Sequence, residues 1–230
     1  MDRNNHYVIR YEFYFHSGNQ QEFKVVLDKA TLSLVNFSCK SKPDWTKLLN
    51  KQCSCCSLRE DQHPYCPIAV NIAELVDNFK GHLSTEKCRV RCVTPERTYM
   101  KDTRIQEGLY SILGIVMATS DCPVMSFYKP MARFHLPFST SEETLFRSAS
   151  VYLLQQYFEY KRGGQPDLEM AHLSSRLQMV QDVNIGIIAR IRSVSVKDAD
   201  ANAVIILDSF SKLLDMAIED RLSSLEYLFP

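Results

Sequence analysis

Glycine is scarce in this chain. Seven glycines among 230 residues leave little material for a phosphate-cradling loop, and neither a dinucleotide fingerprint nor a nucleophile elbow can be read. Tryptophan occurs once. Neither sign of charge is in excess: Lys+Arg and Asp+Glu each number 27, so no global field steers the chain toward nucleic acid, an anionic membrane or an acidic substrate. Long apolar runs are missing as well. The longest uncharged stretch, Gly108 to Ser120, is too short for a bilayer span, and the opening Met1-Asp2-Arg3-Asn4-Asn5-His6 lacks the apolar region of a signal peptide. A cytoplasmic location with no membrane contact is the expectation.

What is present is a chain able to bury a core. With 45% hydrophobic and 23% charged side chains, it suits one large domain or two small ones. Eight cysteines in a reducing compartment read as free thiols and metal ligands rather than as a disulfide framework.

From Tyr7 to Phe15 every odd position is apolar, the period of a half-buried strand. Ser17-Gly18-Asn19 turns the chain, and Phe23, Val25 and Leu27 repeat the alternation, so residues 7–28 are predicted to form an antiparallel hairpin, with a short third strand near Leu32 to Phe37. Residues 38–66 show little periodicity and need a staple to be ordered. Beyond them, Ala69, Val70, Ala73, Val76 and Phe79 follow helical spacing up to Gly81. Cys88, Val90 and Cys92 alternate with Arg89 and Arg91, which predicts a second hairpin through Asp102. Helices are then predicted over 104–118, 123–131, 141–161, 168–193 and 201–226, with Ser139 to Glu143 and Asp198 to Asp200 offering capping chemistry. The fold class is α+β: an N-terminal antiparallel sheet with a Cys-rich insertion and one helix over 1–103, and an all-helical half over 104–230, joined as one unit.

The chemistry lies in the cysteines. Cys53 and Cys56 form a Cys-x-x-Cys turn that brings two sulfurs within reach of one tetrahedral metal, and Cys66 returns ten residues later. At Cys66-Pro67 and Cys122-Pro123 the proline suits the first helical position, so both thiols stand where unpaired amides and the helix dipole stabilise a thiolate. With Cys122 as fourth ligand the site would tie the sheet region to the helical half. Cys55, His63 and His135 are alternates. Zinc is the first choice of metal and an iron–sulfur cluster the second. Cys88 and Cys92 are excluded, since four strand residues separate them by roughly 13 Å; they are expected to pack the inner strand face.

Three functional readings follow. A structural zinc in an interaction or regulatory protein, bound to a protein partner or to a second copy, comes first. A redox or sensing protein using an iron–sulfur cluster or a reactive thiol is the alternative. Nucleic-acid binding through Lys87, Arg89, Arg91, Arg97, Lys101 and Arg104 is set aside, since a solvated strand face explains that stripe and aromatic interleaving stops at Tyr99. For acid–base chemistry, Arg133, His135, Glu142 and Glu143 would have to share a pocket beside Cys122; no catalytic residue is assigned. The last helix carries an apolar stripe, Leu207, Phe210, Leu213, Leu214, Ile218, Leu222 and Leu225, suited to core or to self-association.

Five segments together resemble a bacterial family of unknown function: Gln52-Cys53 to Cys56, His63-Pro64-Tyr65-Cys66-Pro67-Ile68-Ala69-Val70-Asn71, Thr94-Pro95-Glu96-Arg97-Thr98-Tyr99, Ala118-Thr119-Ser120-Asp121-Cys122-Pro123 and Arg133-Phe134-His135-Leu136-Pro137-Phe138. The resemblance implies one unit in the order read above. It brings no catalytic or partner assignment.

Overall fold

The computed structural model describes residues 5–35, 42–220 and 222–229, apart from the side chains of Phe210, Leu214 and Glu219. Strands β1 (His6–Phe15) and β2 (Gln20–Asp28) form the predicted hairpin, and β3 (Lys87–Val93) and β4 (Thr98–Arg104) the second. The four make one antiparallel sheet in the order β2-β1-β3-β4. Register follows the alternation: Tyr11 lies opposite Phe23 on one side and Cys92 on the other, and Phe13 opposite Val90. Sharing period and phase, these strands bury one common face. Of the third predicted strand only a bridge between Leu27 and Leu34 forms, and Asn36 and Phe37 fall outside the described residues.

Helix α1 (Pro67–Phe79) returns beneath the sheet, its Phe79 ring packed on Phe13, Phe15 and Phe23. Helix α2 (Ile105–Thr119) is the centre of the molecule and is buried on nearly every side. Gly108 lets it approach the sheet: a Cβ there would lie 2.5 Å from Phe13 Cε1 and 2.8 Å from Val90 Cγ2. On its far side α2 meets α6 (Ala199–Glu219), which pairs with α5 (Ala171–Arg192). A second apolar cluster, with Ala149 and Tyr152 of α4 (Ser141–Lys161), Leu173 and Leu177 of α5, and Ile218 of α6, fastens α4 to the bundle. Among the described residues no helix is long and apolar enough to cross a membrane.

The predicted helix over 141–161 is found in full, started by a capping box: the Glu143 amide donates to Thr140 Oγ1 at 3.1 Å and the Thr140 amide to Glu143 Oε2 at 2.8 Å. Elsewhere the boundaries differ for local reasons. The helix expected over 123–131 breaks into a 3-10 turn, Met125–Tyr128, and a short α3 (Lys129–Arg133). Pro130 has no amide to continue the ladder. Helix α5 starts at Ala171, after Met170 at φ +56°, and the carboxylate of Asp167 accepts from the amides of Ala171 and His172. Asp198 does not cap α6 with its side chain; it reaches back to the Ser84 amide at 2.8 Å and hydroxyl at 3.0 Å, joining the bundle to the loop before β3. The last helix ends at Glu219, and residues Ser223–Leu228 form a 3-10 turn after Leu222 at φ +55°.

Candidate metal centre

The Cys-rich insertion lies against one face of α5. Met179, Asp182, Gly186 and Arg190 recur at three- and four-residue spacing and so line one side of that helix. Each holds a different part of the loop. The Cys55 thiol donates to the Met179 carbonyl at 3.4 Å, and Ser54 Oγ donates to Asp182 Oδ2 at 2.7 Å. Cys53 Sγ sits over Gly186, where a Cβ would come within 2.7 Å of it. Arg190, 1% exposed, donates from Nη1 to the carbonyls of Trp45 at 2.9 Å and Lys47 at 2.7 Å, and from Nη2 to that of Leu48 at 2.8 Å. Its guanidinium gathers the loop much as a bound ion would.

The insertion closes on itself below this. The Leu48 amide donates to the Pro64 carbonyl at 3.0 Å and the Cys66 amide to the Thr46 carbonyl at 2.8 Å, which delivers Cys66 to the start of α1 with Pro67 as the first helical residue. The Cys56 amide donates to the Cys53 carbonyl at 3.0 Å, forming the Cys-x-x-Cys turn. From the other side comes Cys122. Its preceding residue Asp121, at φ +58°, accepts from Ser33 Oγ at 2.7 Å and Lys129 Nζ at 2.8 Å, so strand-side and helix-side residues together set the turn.

The four proposed sulfurs are electrostatic neighbours. Burial pushes the Cys53 thiol up to about 12, and Cys66, Cys55, Cys56 and Cys122 each add to the rise. Burial also raises Cys66 and Cys122. Backbone amides oppose it in both cases: those of Ala69 and Ile68 at the start of α1 face the Cys66 sulfur, and those of Met125 and Val124 the Cys122 sulfur, while Arg190 adds positive charge beside Cys66. Cys122-Pro123, expected to open a helix, leads instead into a turn ahead of the short 3-10 helix, so only Cys66 stands at a helix start. The Cys66 sulfur closes no side-chain capping bond at α1. Among the described residues no group of three or more His, Cys, Asp or Glu side chains is placed to hold a metal ion.

The alternates go elsewhere. Cys55 is occupied with the Met179 carbonyl, His63 is exposed, and the His135 ring hydrogen-bonds through Nε2 to the hydroxyl of Tyr11. Cys88 and Cys92 lie under β3, 3% and 0% exposed, as packing residues, and Cys39 is outside the described residues. Arg133, His135, Glu142 and Glu143 do not share a pocket. Arg133 stacks over Tyr7 with its guanidinium carbon 4.0 Å from the ring centre, Glu142 accepts from Tyr227 at 2.6 Å and Glu143 caps α4, so each is engaged with a different partner. In the basic stripe, Arg89 pairs with Asp102 at 2.7 Å, Arg91 with Glu12 at 3.0 Å and Lys101 with Glu107 at 3.3 Å. Arg190 and Gly186 were not singled out from the sequence. The signal existed: Arg190 falls on the same helical stripe as Val183, Ile187 and Ile191, and a charge on an apolar stripe needs buried partners.

No curated protein and no solved structure matches the chain. A family model does, across residues 9–230, and the chain therefore belongs to the family DUF6901, a domain of unknown function.

Proposed function

We propose that Cys53, Cys56, Cys66 and Cys122 bind one structural zinc ion, which locks the insertion to the helical half of a cytoplasmic interaction or regulatory protein. The observation that carries this reading is the placement of one buried and three half-buried thiols, Cys66 with Cys53, Cys56 and Cys122, close enough for the other three to act electrostatically on Cys53, with the amides at the start of α1 facing Cys66 and those of Val124 and Met125 facing Cys122. A thiol held near pKa 12, as Cys53 is, loses its proton to solvent at neutral pH when a divalent cation takes the proton's place on sulfur. Four thiolates around a dication keep net negative charge. The buried Arg190 guanidinium beside Cys66 is the complement to it. Because Arg190 already staples the loop, metal removal is expected to loosen residues 42–66 rather than to unfold the sheet. A protein partner or a second copy is the expected binding mate, favoured by exposed Leu154, Tyr157, Phe158 and Tyr160 along α4.

The test is elemental analysis with an ultraviolet–visible spectrum on protein purified anaerobically without a metal-affinity tag. Near-stoichiometric zinc without colour is expected, lowered in Cys66→Ser and Cys122→Ser and unchanged in Cys88→Ser. Iron with sulfide and a broad visible band would replace this reading by an iron–sulfur redox or sensing role. Equal metal content in all three variants would refute the ligand set.

A further inference from the structure

Away from the cysteines, the helical half forms a partly open cavity of about 130 Å³ between α2, the turn Met125–Tyr128, α4, α5 and α6. Its walls are largely apolar, supplied by residues such as Ile115, Ala118, Val180 and Leu207. Hydroxyl side chains such as Ser111, Ser148 and Ser211 also line it, and three further polar groups bear on what it could hold. Asn184 of α5 is 1% exposed, and neither its Nδ2 nor its Oδ1 has a hydrogen-bond partner among the described residues. Leaving a carboxamide buried and unpaired costs on the order of 2 kcal/mol or more, so an empty cavity does not explain its retention.

Arg147 of α4 is half-buried on the same wall, donating through Nη2 to the carbonyls of Phe134 at 2.7 Å and Met131 at 3.1 Å. It forms no ion pair among the described residues. Glu143, the carboxylate on its own helix face, is held in the capping box by the Thr140 amide at 2.8 Å. The third group, His135, is kept neutral at physiological pH by burial and by the Arg147 charge, which together lower its pKa to about 3. One cation without an ion pair among the described residues, one unpaired amide and a mostly apolar wall describe a complement.

We propose that this cavity binds a small carboxylate with a compact apolar body, about the size of benzoate: the carboxylate answers Arg147, Asn184 donates to it from Nδ2, and the apolar body fills the space between α2, α5 and α6. The volume is of the right order, since an engineered apolar cavity of about 150 Å³ admits benzene. A lone chain of waters fits less well, because each needs two or more polar partners and most of this wall offers none.

The experiment is calorimetric and ligand-observed NMR titration of the full chain with benzoate, benzamide and toluene. Benzoate should saturate a single site and bind about tenfold more tightly than benzamide, with toluene weakest, as expected when one charge-assisted pair is lost. Asn184→Leu should weaken benzoate at least tenfold while its unfolding midpoint stays level or rises, because an unpaired polar group has been replaced by an apolar one of similar size. Arg147→Gln should erase the preference for benzoate over benzamide. If Asn184→Leu fails to fold, Gly114→Leu replaces it. A Cβ at Gly114 meets only Leu207 Cδ2, at 3.5 Å, and the side chain would occupy the cavity from α2. Absence of saturation by all three probes would overturn the proposal in favour of a solvent-filled space. So would equal affinity for toluene and benzoate, or undiminished benzoate binding in the filled-cavity variant.

Discussion

Replacing Arg190 by Met removes the one side chain that ties the Cys-rich insertion to α5 by three hydrogen bonds. The fork reaches the carbonyls of Trp45, Lys47 and Leu48 at 2.9, 2.7 and 2.8 Å, from a position that is 1% exposed. Hydrogen bonds involving a charged group are each worth roughly 1.5–3 kcal/mol, and a carbonyl left buried and unpaired costs about 1–3 kcal/mol. Against this stands relief from burying a guanidinium that has no carboxylate partner. Loop relaxation also lets water reach some of the freed carbonyls. A net loss of about 3–4 kcal/mol is expected, a large fraction of the 5–15 kcal/mol typical of a domain. Arg190→Lys should recover only part of it, since one ammonium cannot span the three carbonyls with a planar fork.

The assay is urea unfolding for the global value, combined with native-state hydrogen exchange. Amides of Leu48 and Cys66, bonded to the Pro64 and Thr46 carbonyls at 3.0 and 2.8 Å, should lose protection far more than those of β1 and β3. A loss below about 1 kcal/mol, or an even loss of protection over sheet and loop, would show that Arg190 is not the staple argued from its burial and partners. Repeating the exchange after chelation separates the two fastenings. If a metal shares the task, chelation and Arg190→Met should each expose the loop partly and together expose it fully.

Three further outcomes are expected. Gly186→Ala and Gly108→Ala both force a Cβ into occupied space, 2.7 Å from Cys53 Sγ and 2.5 Å from Phe13 Cε1 respectively, and each should cost about 1–3 kcal/mol in thermal unfolding; only Gly186→Ala should lower metal content, and equal metal in both would detach Cys53 from the site. Asp200, raised from 3.8 to about 7 by burial, keeps its proton when folded but loses it when unfolded between those values, so stability falls as pH rises through that window. Asp200→Asn should therefore gain on the order of 3 kcal/mol at pH 8 and almost nothing at pH 4, and a gain that does not depend on pH would refute the linkage. Thr140→Ala removes the hydroxyl arm of the α4 capping box and leaves the backbone-amide arm to Glu143 in place; it should cost about 1 kcal/mol in denaturant unfolding, with a neutral result pointing to Ser139 as a substitute cap.

The sheet and most helices were legible before any coordinates, because a strand or helix that buries one face writes its period into the chain: odd positions from Tyr7 to Phe15, and Thr140 with Glu143 ahead of α4. Helix ends were less legible where they depend on a missing amide at Pro130 or on left-handed residues at Met170 and Leu222. The Cys53 to Cys56 turn and the start of α1 at Cys66-Pro67 were legible as spacing, since turns and helix starts are local devices; Cys122-Pro123 was not, because the chain turns there instead of opening a helix. What holds them was not. That Arg190 serves the loop and that Gly186 makes room for Cys53 depend on how α5 lies against residues more than a hundred positions away, and that Asn184 and Arg147 face one cavity depends on how α5 lies against α4. Local sequence determines which face of an element is apolar; only the docking of that face selects its partner, because a buried charge or amide is satisfied by whichever groups tertiary packing brings to it.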